Sequence, residues 1–250
     1  MIFDKYRHTR DVKDIEAALR ITRESIKGAP PFHADRQRWY HSLSTMLRYQ
    51  YAVKPNKDDL KEAISAQREC LKSTIASDPD RAKHIETLAR LLHELYKLTS
   101  EVSDLQAAVA EAHGSVLLAM RPNPGGQRSS PSVPWLAYVS SMLLELYDRT
   151  KDERELNNSI SLARWVLRLT SVKYPGLGDR IGHLIKALIV RYEDQGNEAD
   201  LQEAATFISR KRKLEATNTT TTAATATATS EAEQSYCPAT IEVGRVPRMG

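Results

Sequence analysis

The chain repeats one pattern five times, and this repetition constrains its fold more than any other feature of the sequence. In every copy a tyrosine stands eight residues before an acidic residue, and the acidic residues follow one another at intervals of 45, 45, 51 and 45 positions. Self-similarity at such a period indicates stacked structural repeats rather than a single compact core. The five pairs are Tyr6/Asp14, Tyr51/Asp59, Tyr96/Asp104, Tyr147/Glu155 and Tyr192/Asp200.

Apolar residues flank each pair at helical spacing. An aliphatic residue follows the acidic residue directly, as in Leu60 and Leu201, and a small residue follows four positions after it, as in Ala63. A second stripe lies four and eight residues before each tyrosine after the first, as in Leu92 and Leu88. Both patterns predict amphipathic helices. Each unit is therefore a helix A that ends near the tyrosine and a helix B, and we expect the acidic residue to be the N-cap of helix B.

This arrangement predicts an all-α chain with nine helices between residues 6 and 213 and no sheet. We expect residues 1–213 to form the array, as a half repeat plus four repeats. The proline- and glycine-rich stretch RPNPGGQRSSPSVP accounts for the one longer interval and predicts an insertion loop at 121–134. Residues 214–250 include the low-complexity run TNTTTTAATATATS, which predicts a disordered tail.

The stretch RYEDQGNEADLQEAA, residues 191–205, together with DDLKEAI and DPDRA, resembles the tetratricopeptide-like (TPR-like) repeats of fungal proteins. The resemblance covers about residues 6–212. It implies a right-handed α-solenoid of antiparallel helix pairs that acts as a scaffold or adaptor. Such arrays often stand upstream of CHAT peptidase-like or nucleotide-binding domains. A fragment of a regulatory or sensing array of a larger effector protein is therefore an alternative function.

In TPR-like arrays the A helices line the inner face, where peptides bind. The equivalent positions form a mixed polar face, which favours a protein or peptide partner. RNA binding is a weaker alternative, because a nucleic-acid surface should be more uniformly cationic and carry stacking aromatic rings. The candidate partner-binding residues are Ser42, Thr45, Tyr49, Thr87, Arg90, Glu94, Lys97, Tyr138, Ser141, Glu145, Asp148, His183, Lys186 and Glu193.

The sequence predicts no catalytic, cofactor or metal site. His84 and His93 lie nine residues apart without an HExxH motif, and we interpret the histidines as helix-surface residues. The segment PGLGDR lacks the remainder of a phosphate-binding loop. Cys70 lies in a helix B without an evident histidine partner, and we expect it and Cys237 to be free thiols. We therefore expect a chain that is not an enzyme.

Location and association are predicted from shorter segments. Apolar runs such as ALIV fall far short of the roughly 18 residues of a membrane helix, and the start MIFDKYRHTR does not read as a signal peptide. We expect a cytoplasmic protein, although Arg210, Lys211, Arg212 and Lys213 could direct it to the nucleus. Only MIFDK precedes Tyr6, so we expect its helix B, about 14–27, to lack cover on one side and to fray or self-associate through that N-terminal edge.

Overall fold

A computed structural model describes the backbone of residues 12–30, 33–121 and 130–234, and the side chains of these ranges from residue 13 to residue 216. This part of the chain contains nine α-helices and no strand. The helices are α1 (Val12–Gly28), α2 (Arg36–Val53), α3 (Lys57–Ser73), α4 (Arg81–Thr99), α5 (Val102–Met120), α6 (Val133–Thr150), α7 (Glu153–Leu169), α8 (Leu177–Gln195) and α9 (Glu198–Gln234).

The helices pair as the repeat predicts. The A helices are α2, α4, α6 and α8, each followed by a B helix, and α1 is the B helix of the first copy. The chain divides into two compact units, Met1–Tyr174 with α1 to α7 and Pro175–Gly250 with α8 and α9. In the first unit each helix packs on the next one in the sequence, and in the second unit α9 packs on α8. The predicted all-α fold of antiparallel helix pairs is confirmed.

The predicted apolar stripes form the interior of both units. On the A helices the stripe residues are all buried: Leu43, Leu47, Leu88, Leu92, Val139, Leu143, Leu184 and Leu188. On the B helices, Ala63 and Ala108 are fully buried, so their small side chains permit close packing. Leu201 departs from the prediction. Its side chain is 45% exposed, although Asp200 and Ala204 of the same helix are buried.

The B helices begin earlier than we predicted. The N-cap of α3 is Asn56, whose side chain accepts from the backbone N–H of Asp58, and the N-cap of α7 is Asp152, which accepts from the N–H of Arg154. The repeated acidic residue stands three positions later, inside the first turn. Its predicted role as N-cap is therefore wrong, because another polar side chain already caps the free backbone donors.

In three of the helix pairs the acidic residue instead accepts a hydrogen bond from the end of the preceding helix A. Asp59 accepts a hydrogen bond of 3.1 Å from the Gln50 side chain. In the second unit, Asp200 is almost fully buried and accepts from the Arg191 guanidinium, whose Nε lies 2.7 Å from a carboxylate oxygen. The equivalent contact in the α4/α5 pair comes from the hydroxyl of Thr99, which lies 3.2 Å from Asp104.

Three of the turns between A and B helices share one backbone geometry. Ser100, Lys151 and Gly196 have φ angles of 60°, 57° and 66° in the left-handed region. In each case the backbone N–H donates to the carbonyl of the repeated tyrosine four residues earlier. This is a left-handed cap that stops a helix and satisfies one of its last carbonyls. The end of α2 differs, since its C-cap Lys54 has an extended φ of −136°.

Several predicted boundaries fall at or beyond the edge of the described residues. Tyr6, most of the insertion loop (122–129) and the end of the tail (235–250) lie outside them. α6 already begins at Val133, and α9 continues past residue 213 to Gln234. The limits of the array and the disorder of 214–250 stay predictions.

Ile15 and Leu19 of α1 are buried in the core, whereas Ile21 is 43% exposed. Self-association through this N-terminal edge also stays a prediction.

Candidate functional site

Three successive A helices of the first unit line a groove of about 460 Å³. Helix α2 contributes four residues, α4 contributes two and α6 contributes one: Arg48, Tyr49, Tyr51, Ala52, Arg90, Glu94 and Tyr138. Four of these residues, Tyr49, Arg90, Glu94 and Tyr138, were candidates from the sequence. The structure thus brings candidates from three repeats into one groove, which we call the polar groove.

The other sequence candidates lie on accessible surface outside the lining of the polar groove. None of the fourteen candidates is fully buried. In the first unit the remaining ones are Ser42, Thr45, Thr87 and Glu145, which are partly exposed, and Lys97, Ser141 and Asp148, which are exposed. In the second unit His183 is partly exposed and Lys186 and Glu193 are exposed. Their role in partner binding stays a prediction.

Arg90 is the most constrained charged side chain of the polar groove. Its guanidinium carbon lies 4.7 Å from the ring centroid of Trp135 and 4.6 Å from that of Tyr138. One guanidinium nitrogen also lies 2.9 Å from a carboxylate oxygen of Glu86, one helical turn earlier. Contacts of a guanidinium with two aromatic faces and a carboxylate restrict its rotamers. Arg90 therefore presents its charge to the groove in a fixed position.

A buried histidine supports the wall of the polar groove. His93 of α4 is 3% exposed, and its Nε2 lies 2.8 Å from Glu145 while its Nδ1 lies 2.6 Å from the Tyr138 hydroxyl. A carboxylate can only accept, so Nε2–H donates to Glu145, and in the neutral ring Nδ1 accepts from Tyr138. Both ring nitrogens are thus satisfied across the α4/α6 contact.

The surroundings of Tyr138 keep its hydroxyl protonated. Burial is the main cause that raises the pKa of Tyr138 to about 12; the nearby carboxylates of Glu94 and Glu145 contribute in the same direction, and the Arg90 charge partly opposes them. At neutral pH the phenol therefore keeps its hydrogen and can donate it to Nδ1 of His93.

Sequence reasoning missed three features of this region. Our interpretation of the histidines as helix-surface residues is wrong for His84 and His93, which are both buried. His93 stands three residues before the buried Tyr96 and hence on the same helical face, a signal that could have shown its burial. Trp135 was not a candidate, yet it is 2% exposed and donates from its indole nitrogen to Ser115, 2.9 Å away. Arg48 and Tyr51 are adjacent to the candidate Tyr49 on α2 and were also missed.

A second, larger groove has a different character. It measures about 580 Å³, lies on α5, α6 and α7, and contains none of the sequence candidates. Its lining includes Leu117, Met120 and Trp165, and the first two are 64% and 46% exposed. Specific sites combine apolar walls with oriented polar groups, and the polar groove has more of the latter. We therefore take the polar groove as the candidate site.

Comparisons with known proteins support the fold and nothing finer. No protein-family profile and no curated protein matches the sequence. A crystal structure described as the nearly identical TPR-like repeats of a Podosopora anserina putative kinesin light chain has a TM-score of 0.52 at 16% identity. The match covers 87% of this chain and 94% of that one. BtubC (BKLC) from P. vanneervenii has a TM-score of 0.51 at 15% identity, covering 95% and 81%. None of the described helices is long and apolar enough to cross a membrane. The fold of this chain is thus that of TPR-like helical repeats.

Proposed function

We propose that this chain is a non-catalytic scaffold or adaptor that binds a protein or peptide partner in the polar groove. The observation that supports this function is the groove itself, because side chains from α2, α4 and α6 line it together. An extended peptide that crosses successive A helices meets different side chains at each repeat. The groove can therefore distinguish peptide sequences.

The chemistry of the groove favours a peptide that carries a carboxylate beside an apolar or aromatic side chain. The Arg48 guanidinium carbon lies 5.9 Å from the ring centroid of Tyr49, so a cation and an aromatic face are presented side by side. Tyr51 and Tyr138 extend the aromatic surface. Tyrosine and arginine are the side chains that most often contribute binding energy at protein interfaces.

The same groove is poorly suited to nucleic acid. Glu94 lies in its lining, and the charge of Arg90 is already shared with Glu86. Nucleic-acid grooves are typically uniformly cationic, whereas this groove combines the cations Arg48 and Arg90 with the carboxylate of Glu94. We therefore propose protein or peptide ligands rather than RNA.

Selection of peptides from an unbiased library on the immobilised chain tests this function. Arg48→Ala should weaken the selected peptides at least about tenfold, which corresponds to roughly 1.4 kcal/mol. Arg68→Ala is the matched control, because Arg68 is an exposed arginine on the B helix α3 and lies outside the groove lining. Equal binding by the native chain and Arg48→Ala, or loss of binding in Arg68→Ala, would place the ligand site elsewhere.

A further inference from the structure

Three side chains that commonly bind metal ions meet inside the first unit, away from the polar groove. They are His41 of α2, Cys70 of α3 and His84 of α4, and their ligand atoms all lie within 4.8 Å of one another. The two imidazole rings approach edge to face with centroids 4.7 Å apart. Cys70 is fully buried and His84 is 8% exposed, so the cluster belongs to the interior where three consecutive helices join.

The cluster contains polar atoms that the described part of the chain leaves without partners. The Nδ1 atoms of His41 and His84 are buried and have no hydrogen-bond partner there, and neither does Oε1 of Gln67. The Gln67 amide nitrogen, in contrast, donates to the backbone carbonyl of His84 over 2.9 Å. Buried polar atoms almost always have partners, because an unmade hydrogen bond is costly. Two open imidazole nitrogens beside a thiol therefore suggest that a further species binds between them.

The donor atoms suit a metal ion rather than an anion. The lone pair of an imidazole nitrogen can bind a metal, whereas a thiol is only a weak hydrogen-bond donor and offers little to an anion. Metal binding would release the thiol proton of Cys70 to solvent and leave a thiolate ligand.

The partners of His84 fix which of its nitrogens could bind. Its Nε2 lies 3.3 Å from the amide nitrogen of Gln37, which also donates to the carboxylate of Asp78 over 3.1 Å. Binding of a metal through Nδ1 requires the hydrogen on Nε2, so the Gln37 amide nitrogen would give up its contact with Nε2 and keep its hydrogen bond to Asp78.

We propose that His41, Cys70 and His84 bind a borderline divalent metal ion of the Zn²⁺ type and thereby connect α2, α3 and α4. One thiolate and two imidazoles are soft to borderline donors, which suit Zn²⁺ and Co²⁺ and not the hard ions Mg²⁺ and Ca²⁺. Tetrahedral bonds of about 2.0–2.3 Å place ligand atoms about 3.3–3.8 Å apart, so the ligand atoms need to approach one another by at most about 1–1.5 Å. The fourth position is left for water or for Oε1 of Gln67.

Titration of the intact chain with Co²⁺ under reducing conditions tests the site. We expect one equivalent to produce a sulfur-to-cobalt charge-transfer band and the visible bands of a four-coordinate ion, and Zn²⁺ to displace it. Cys70→Ala should remove the charge-transfer band. His84→Gln should weaken Zn²⁺ binding at least about 100-fold. Loss of a residue that only hydrogen-bonds to a metal ligand already lowers metal affinity about 10- to 100-fold, and loss of a ligand should cost more.

Two matched variants control for other thiols and histidines. Cys237→Ser removes the other thiol, which lies outside the described residues, and His113→Gln removes a partly buried histidine of α5. Both should bind Co²⁺ as the native chain does. The proposal is overturned if the native chain gives no charge-transfer band, if Cys70→Ala retains the band, or if Cys237→Ser loses it. Circular dichroism checks that each variant folds. If a variant fails to fold, the titration of the native chain still shows whether a cysteine of this chain binds Co²⁺.

Discussion

Two buried histidine clusters lie at successive repeat junctions of the first unit, and they differ in how their ring nitrogens are satisfied. At the α4/α6 junction, His93 is 3% exposed and has a partner at each ring nitrogen, Tyr138 and Glu145. At the α2/α4 junction, His84 is 8% exposed, yet its Nδ1 and that of His41 lack partners among the described residues. Burial alone therefore does not distinguish a structural histidine from one that can bind a metal. The difference is whether a ring nitrogen has no hydrogen-bond partner.

The largest expected loss of unfolding free energy comes from a substitution in α4, the helix that carries one histidine of each cluster. Leu92 is 3% exposed, and Leu92→Ala should cost about 2–5 kcal/mol of unfolding free energy because it leaves a cavity between the helices. Arg90→Ala should cost only about 1 kcal/mol, from its lost aromatic contacts, and should mainly weaken binding. Urea unfolding followed by circular dichroism measures both values. Similar losses in the two variants would show that our assignment of the faces of α4 is wrong.

The direct comparison of the clusters is a pair of histidine-to-leucine substitutions. His93→Leu leaves the Tyr138 hydroxyl and Glu145 without their buried partner and should cost about 1–3 kcal/mol. His41→Leu, measured with a metal chelator present, removes an unpartnered polar atom and should change the stability by less than about 1 kcal/mol. Chemical denaturation of both variants in one buffer makes the comparison. If His41→Leu lowers the unfolding free energy as much as His93→Leu does, the two clusters do not differ in whether their ring nitrogens have partners.

Alkaline titration tests the raised pKa of Tyr138, the partner of His93. The ordinary tyrosine pKa is 10.0 and that of folded Tyr138 is about 12, so between these values the folded chain retains a proton that the unfolded chain has lost. Stability therefore falls as the pH rises through this range, and Tyr138 adds no pH dependence below it. Thermal unfolding should show a smaller alkaline loss in Tyr138→Phe than in the native chain. An equal loss in both would contradict the raised pKa.

The smallest effect is expected at a position that touches neither cluster. Ser100 follows α4 with a φ of 60°, which a residue with a Cβ adopts at a cost, and its side chain is exposed. Ser100→Gly should relieve this strain and stabilise the chain by about 0.5–1 kcal/mol, with both histidine clusters unchanged. A higher melting temperature with unaltered Co²⁺ binding is the expected result. A lower melting temperature would mean that the left-handed backbone carries no strain.

The helix pairs could be predicted from the sequence because their buried apolar residues recur at fixed distances from the repeated tyrosine. Leu88 and Leu92 recur at the same distance from Tyr96 as Leu43 and Leu47 from Tyr51, and all four leucines are buried. The start of each B helix was misplaced because an acidic residue is suited both to the N-cap and to the first turn. Only the side chain three residues earlier, such as Asn56, distinguishes these positions.

The candidate sites were predicted less completely because they depend on contacts between repeats. Tyr49, Arg90, Glu94 and Tyr138 were found because they stand two, six or nine residues before the repeated tyrosine, at the positions that line the inner face of TPR-like arrays. The cluster of His41, Cys70 and His84 has no such regularity, since its members lie on three helices at positions that the repeat does not relate. Its meeting point follows from how α2, α3 and α4 pack, which spacing along the chain does not encode.

The shared turn after the repeated tyrosine has a consequence for how such a chain can be recombined. Serine, lysine and glycine occupy the same left-handed position in three turns, and each donates to the carbonyl of its tyrosine. Because the joint is defined by backbone geometry, hairpins exchanged at this point keep the path of the chain whichever residue they bring. A segment that begins at one of these left-handed residues can therefore be joined to the A helix that precedes another, which makes the turn a suitable crossover point for lengthening or shuffling the repeats.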